Sequence, residues 1–168
     1  MKKDNIRDYA TEAFRLYARL GRPSYEALLQ RVYDRALTET LHAEVPGGSG
    51  IAKPTEAAVC RAERAVEQCR AALLDILAVE NTLRRLSERA AGEEMVRTLE
   101  MVYFQEPCRP VRRGDIQDRV RYAAAHLPAA ESSVYRYLKS ARALFGQERQ
   151  LRNNTDGEEV FAGMSGIA

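Results

Sequence analysis

Cysteine and histidine are scarce in this chain, and their spacing does not suit the usual metal sites. The three cysteines are Cys60, Cys69 and Cys108, and the two histidines are His42 and His126. Structural zinc sites need ligands clustered within a few residues of one another, and no such cluster occurs here. We therefore expect free thiols and no metal or other cofactor.

Long apolar runs and catalytic constellations are also missing from the sequence. No run of about 18 apolar residues is present, which predicts no membrane-spanning helix. The basic N-terminal residues precede no apolar core of the kind that a secretory signal needs. Neither Ser132 nor Ser133 has a base nearby in the sequence that could activate its hydroxyl. No pattern of carboxylates indicates acid–base catalysis. We expect a cytoplasmic protein that contacts no membrane and is not an enzyme.

Apolar residues recur every three or four positions, which predicts an all-α fold with a helical N-terminal region. The stripe of the first helix consists of Tyr9, Ala13, Leu16, Tyr17 and Leu20. This helix ends at Gly21 and a second opens after Pro23. Residues 46–50 are rich in glycine but lack the Lys-Ser/Thr ending of a phosphate-binding loop. We therefore predict an exposed loop there.

A long central helix is predicted to begin at Pro54. Its heptad-like stripe reaches Leu83 and can pack against the N-terminal helices or against the same helix of a second copy. Both arrangements stay open, and a homodimer would suit two DNA half-sites. Gly92 ends this helix and begins the next.

Residues 114–145 have the pattern of a helix-turn-helix. Two amphipathic helices flank a turn at residues 126–129, where Pro128 stops the first helix and makes Leu127 extended. We take Asp115 as the N-cap of the first helix. The apolar stripe of the second helix consists of Val134, Leu138, Ala141, Leu144 and Phe145. In a helix-turn-helix the second helix enters the DNA major groove.

Cations and hydroxyl groups occupy the other side of the second helix. The candidate DNA-binding residues, with two arginines that precede the first helix, are Arg112, Arg113, Ser132, Ser133, Tyr135, Arg136, Lys139 and Arg142. Arg136 suits a bidentate contact with guanine, whereas Lys139 and Arg142 suit phosphates. Residues 107–152 hold ten Lys/Arg and four Asp/Glu, although the whole chain has a net charge of only +2. This local excess of positive charge favours phosphate contact.

The segments MVRTLEMVYFQ, GDIQDRV and SSVYRYLKSARALF resemble region four of bacterial sigma factors. In that family a helix ending in a Tyr-Phe-like pair, here Tyr103 and Phe104, precedes the helix-turn-helix. Most of residues 5–152 resembles the small prophage-encoded regulators of Firmicutes of the ArpU and RinA type. The resemblance implies double-stranded DNA and RNA polymerase as partners. No counterpart of region two, the part of a sigma factor that melts promoter DNA, is evident.

We predict three parts: a helical oligomerisation or partner region at 1–91, a sigma-region-four-like domain at 92–152, and a flexible tail at 153–168. The predicted function is sequence-specific DNA binding that regulates transcription of prophage or mobile-element genes. One alternative is a phage terminase small subunit, which couples a helix-turn-helix to an oligomerisation region and recognises the DNA packaging site. Another is a helical interaction module that does not bind DNA.

Overall fold

The computed structural model describes residues 4–43 and 54–151. The helices in these ranges are α1 Asn5–Arg19, α2 Tyr25–Ala43, α3 Pro54–Gln68, α4 Arg70–Ser87, α5 Gly92–Val102, α6 Asp115–His126 and α7 Glu131–Glu148. Because the described residues form helices and no strands, the predicted all-α fold is confirmed. Among them, no helix has both the length and the apolar character that crossing a bilayer requires. The predicted loop at 46–50 and tail at 153–168 lie outside the described residues.

The chain divides into two compact units. The discontinuous unit comprises residues 4–22 and 78–151, and the inserted unit comprises residues 23–77. The predicted boundary between residues 91 and 92 does not coincide with this division, because α1 belongs with α5, α6 and α7. The functional roles predicted for 1–91 and 92–152 stay predictions.

The inserted unit is built on the packing of α2 against α3. The Ser24 hydroxyl accepts a hydrogen bond from the Ala27 N–H at 3.1 Å and so caps the start of α2. Leu28 of α2 is buried, as are Ala58 and Ala62 of α3. Small alanine side chains on α3 bring the two helices close together. The central stripe therefore packs within its own chain, and pairing with a second copy stays a prediction.

The predicted long central helix is wrong in two respects: it is two helices, and the second of them ends at Ser87 rather than at Gly92, which begins α5. Cys69 separates α3 from α4, and its N–H is shared between the carbonyls of Ala65 and Val66, each at 3.1 Å. A bond to the third preceding carbonyl tightens the last turn of a helix and shifts its main-chain register. The apolar stripe continues across Cys69, so side-chain periodicity did not reveal the break. The Cys69 thiol is half-buried and free.

The core of the discontinuous unit lies where α5, α6 and α7 pack on one another and α1 packs on α7. Phe14 of α1 stacks on Tyr103 and meets Phe145, with both pairs of ring centroids 5.6 Å apart. The predicted stripe of α7 is confirmed, since all five of its residues are at most 3 % exposed. The predicted stripe of α1 is partly wrong: Phe14 is fully buried, whereas Tyr9 is 39 % exposed. Contact with Tyr103 and with Phe145 of α7 places Phe14, rather than Tyr9, in the core.

Two glycines shape the entries to α5 and α6. A Cβ on Gly92 would lie 2.5 Å from the Ser87 carbonyl oxygen, so only glycine fits the close approach of the two helix ends. Gly114, with φ +94°, is the N-cap of α6. The prediction of Asp115 as N-cap is wrong, because Asp115 is the first helical residue. Its carboxylate instead accepts the N–H of Arg112, at 2.8 Å, from outside the helix.

Candidate nucleic-acid interface

The turn between α6 and α7 follows from one proline and two extended residues. Leu127 has ψ 153° and Ala130 has ψ 158°, so the chain leaves the helical conformation on both sides of Pro128. The extended conformation predicted for Leu127 is confirmed. The Val134 N–H then donates to the Ala130 carbonyl at 3.0 Å and starts α7. Leu127 and Val134 are buried, which holds the turn against the core.

The first half of α7 exposes the polar side chains predicted from the sequence. Ser132, Tyr135, Arg136 and Lys139 are exposed, and Ser133 is half-buried. The Arg136 guanidinium lies 3.5 Å from the Ser133 hydroxyl, so these two groups lie together on the surface. Five donors on Arg136 and the adjacent hydroxyl can contact base edges or phosphates.

Arg142 does not share this exposed environment. It is half-buried and donates a hydrogen bond to the Tyr103 hydroxyl at 2.9 Å. With Tyr135 it lines a cleft of about 550 Å³ between α7 and α1, which also holds the acidic Asp8 and Glu12. Arg7 lines the same cleft and pairs with Asp8 at 3.3 Å, so α1 adds charges of both signs to this edge. Sequence reasoning missed them, because it did not place α1 beside α7.

Arg112 and Arg113 lie in the connecting segment, residues 103–114, just before α6. Both side chains are exposed, whereas the neighbouring Arg109 is paired with Glu106 at 2.9 Å and with Asp115 at 3.5 Å. The Arg112 N–H lowers the pKa of the Asp115 carboxyl, and the charges of Arg109, Arg119 and Arg112 lower it further. At the start of α6, the exposed Arg112 and Arg113 thus lie next to Asp115, whose negative charge is largely neutralised by the arginines around it.

The connecting segment is also close to α7. Val111 and Ile116, which flank the two exposed arginines in sequence, line the same cleft as Tyr135 and Arg142. Of the sequence-predicted residues, Tyr135 and Arg142 line this cleft, while Arg112 and Arg113 lie in the segment that borders it.

Two aromatic rings at the end of α6 add an exposed surface. Tyr122 and His126 are stacked with ring centroids 4.0 Å apart, and Tyr122 is 55 % exposed. The His126 Nδ1 lies 2.7 Å from the Tyr122 carbonyl oxygen, which fixes the imidazole against the last turn of the helix. His126 itself is exposed, as a phosphate contact would require.

A buried arginine on α1 is the second feature that sequence reasoning missed. Arg15 is 1 % exposed and donates to the main-chain carbonyls of Tyr103, Gln105, Glu106, Pro107 and Arg109. Burial lowers the pKa of its guanidinium, and the charge of Arg119 lowers it further. An arginine stays protonated even so, because its ordinary pKa is far above neutrality. Its position beside Phe14 was the only sequence signal, and arginine beside a buried aromatic is common on helix surfaces.

No protein-family model, curated protein or solved structure matches this chain.

Proposed function

We propose that this chain is a sequence-specific DNA-binding protein that regulates transcription, with α7 as the helix that enters the major groove. One observation carries the proposal: α7 buries its whole apolar stripe and leaves Ser132, Arg136 and Lys139 exposed along its first half. A recognition helix needs this division, because its N-terminal residues contact base edges while its other side packs on the domain. The resemblance to sigma region four and to prophage regulators supports transcription of prophage or mobile-element genes as the process.

The exposed cations each have a defined role in this proposal. Arg136 forms a bidentate contact with the O6 and N7 atoms of a guanine, and Lys139 contacts a phosphate. Arg112 and Arg113 contact the backbone at the start of α6. Arg142 also donates a hydrogen bond to the Tyr103 hydroxyl, and its predicted phosphate contact stays a prediction. RNA polymerase and a second copy of the chain are the protein partners that the proposal includes.

The test is the salt dependence of DNA binding by the full chain. Sites are first selected from a random duplex library, and affinity is then measured by fluorescence anisotropy on the selected and a scrambled duplex. The slope of log affinity against log salt is expected to be about −0.9 for each phosphate contacted. Binding that is insensitive to salt would contradict phosphate contact.

Two alanine variants separate base reading from phosphate contact. Arg136→Ala should cost ~1–3 kcal/mol on the selected site and relax the preference at one base pair. Lys139→Ala should weaken both duplexes equally. The matched control is Arg64→Ala, which removes the same charge from an exposed position on α3 and should change neither affinity. Identical behaviour of the first two variants would show that the register assigned to α7 is wrong.

Stability distinguishes the two sides of α7. Leu138 is fully buried, so Leu138→Ala should destabilise the discontinuous unit by ~2–5 kcal/mol and weaken DNA binding only through unfolding. Arg136→Ala should leave thermal unfolding unchanged while impairing binding. The two residues are two positions apart and lie on different faces of the helix. If Arg136→Ala instead lowers the unfolding temperature and Leu138→Ala leaves it unchanged, the proposed DNA-reading face of α7 is the buried one.

A helical interaction module is the second candidate, and one feature of the inserted unit favours it. Leu29, Tyr33 and Val66 line a groove of about 470 Å³ between α2 and α3. Absence of DNA binding in the assay above would support this candidate. Ring-shaped oligomers that bind DNA would instead support a terminase small subunit.

A further inference from the structure

The connecting segment, residues 103–114, has little regular hydrogen bonding of its own. Pro107 and Pro110 have no N–H to donate, and Glu106 has a left-handed φ of 43°. One main-chain bond within the segment joins the Arg109 N–H to the Glu106 carbonyl at 3.0 Å. A segment of this composition needs bonds from elsewhere to hold one conformation.

Arg15 supplies these bonds from α1. Its two terminal nitrogens lie within hydrogen-bonding distance of five carbonyl oxygens of the segment. One of these nitrogens, for example, is 3.1 Å from the Glu106 carbonyl oxygen and 3.2 Å from that of Pro107. The guanidinium fork is planar and rigid, so it fixes several carbonyls relative to one another. The first half of the segment therefore directs its carbonyl groups inward, toward α1.

In the second half of the segment, further contacts connect the part held by Arg15 to the start of α6. Arg109, whose carbonyl is held by Arg15, uses its own guanidinium to reach Asp115. Asp115 in turn accepts the N–H of Arg112. The chain of contacts therefore runs from the core of α1 to the residues that carry the exposed cations Arg112 and Arg113.

We infer that Arg15 is a positioning residue of the DNA interface, which holds the connecting segment so that Arg112 and Arg113 meet the phosphate backbone. This inference rests on the proposed function. Arg15 itself touches no DNA, because it is buried. It links α1, at the start of the described chain, to the DNA contacts that precede α6.

Arg15→Lys tests the inference in the full chain. Lysine keeps the charge but has three donors on one atom and cannot serve five carbonyls. The salt slope of DNA binding should become shallower by about 1.8, which corresponds to two lost phosphate contacts at about 0.9 each. The combined Arg112→Ala/Arg113→Ala variant should give the same change. The base preference at the position read by Arg136 should persist in both.

Combining the substitutions distinguishes positioning from an independent effect. If Arg15 acts through Arg112 and Arg113, adding Arg15→Lys to the Arg112→Ala/Arg113→Ala variant does not make the salt slope any shallower. An additive loss would overturn the inference. The matched control is Arg19→Lys on the same helix, which alters a side chain with one carbonyl contact, to Pro107 at 3.4 Å, and should leave the slope unchanged.

A second variant covers the case in which Arg15→Lys does not fold. Two glycines inserted between Pro110 and Val111, both exposed, keep every Arg15 contact but uncouple Arg112 and Arg113 from it. The slope should again become shallower by about 1.8. An unchanged slope would overturn the inference and leave the proposed function standing. If the unaltered chain does not bind DNA, both the proposed function and this inference are overturned.

Discussion

Replacement of Phe14 by alanine should destabilise the discontinuous unit more than any other single truncation on α1. Phe14 is fully buried and lies between the rings of Tyr103 and Phe145. Truncation of a buried phenylalanine costs ~3–5 kcal/mol, because apolar contact is lost and a cavity remains. Each aromatic pair contributes ~0.5–1.5 kcal/mol beyond buried area, so Phe14→Leu, which keeps most of the volume, should cost ~1–3 kcal/mol. Against a typical net stability of ~5–15 kcal/mol, this loss should lower the urea midpoint of the alanine variant clearly.

Urea unfolding of the full chain, followed by circular dichroism at ~222 nm, measures this effect through the loss of helical backbone structure. The chain has no tryptophan, so far-ultraviolet dichroism is preferred to fluorescence. Hydrogen exchange then assigns the change to a unit: amides of α5, α6 and α7 should exchange faster, and those of α3 should not. Tyr122→Ala, at a site 55 % exposed, is the control and should cost ~1 kcal/mol or less. Unchanged exchange in α7 of Phe14→Ala would refute the assignment of α1 to this unit.

Two further predictions concern single polar groups. Thr98 is fully buried, and its hydroxyl has no hydrogen-bond partner among the described residues, so Thr98→Val should raise the urea midpoint by an amount equivalent to ~1–3 kcal/mol. Thr82→Val, whose hydroxyl donates to the Ala78 carbonyl at 2.7 Å, is the control and should bring no such gain. The pKa of Asp115 is lower in the folded chain than in the unfolded chain, so its carboxylate stabilises the fold above about pH 4. This stabilisation is lost as the pH falls through the folded-state pKa. Asp115→Asn should therefore lower the urea midpoint at neutral pH and flatten its dependence below about pH 4, and an unchanged acid profile would contradict this.

The elements that the sequence predicted well depend on short-range patterns. The stripe from Val134 to Phe145 repeats at the helical period, and its residues are buried as expected. Pro128 restricts its own φ and the conformation of Leu127, so the turn before α7 was also predictable. The exposure of Arg136 and Lys139 then follows from the helical period alone.

The elements that the sequence did not predict depend on contacts between distant parts of the chain. Arg15 and Tyr103 are 88 residues apart, and nothing local to either residue indicates that they meet. The burial of an arginine depends on carbonyl groups that only the folded connecting segment brings together. The break at Cys69 is a change of main-chain register, which the side-chain stripe does not record. The acidic residues beside Arg142 come from α1 for the same long-range reason.

The discontinuity of the unit that contains α7 has a consequence for its synthesis on the ribosome. The inserted unit is continuous in sequence, so its helices can pair soon after they emerge. Phe14 and Arg15 emerge before it, yet their partners in the connecting segment and on α7 are translated much later. Until then, the apolar side of α1 is exposed to chaperones and to nascent neighbours. Closing this long interval is slow relative to local helix pairing, so α1 and α7 pack on one another later than α2 and α3 do.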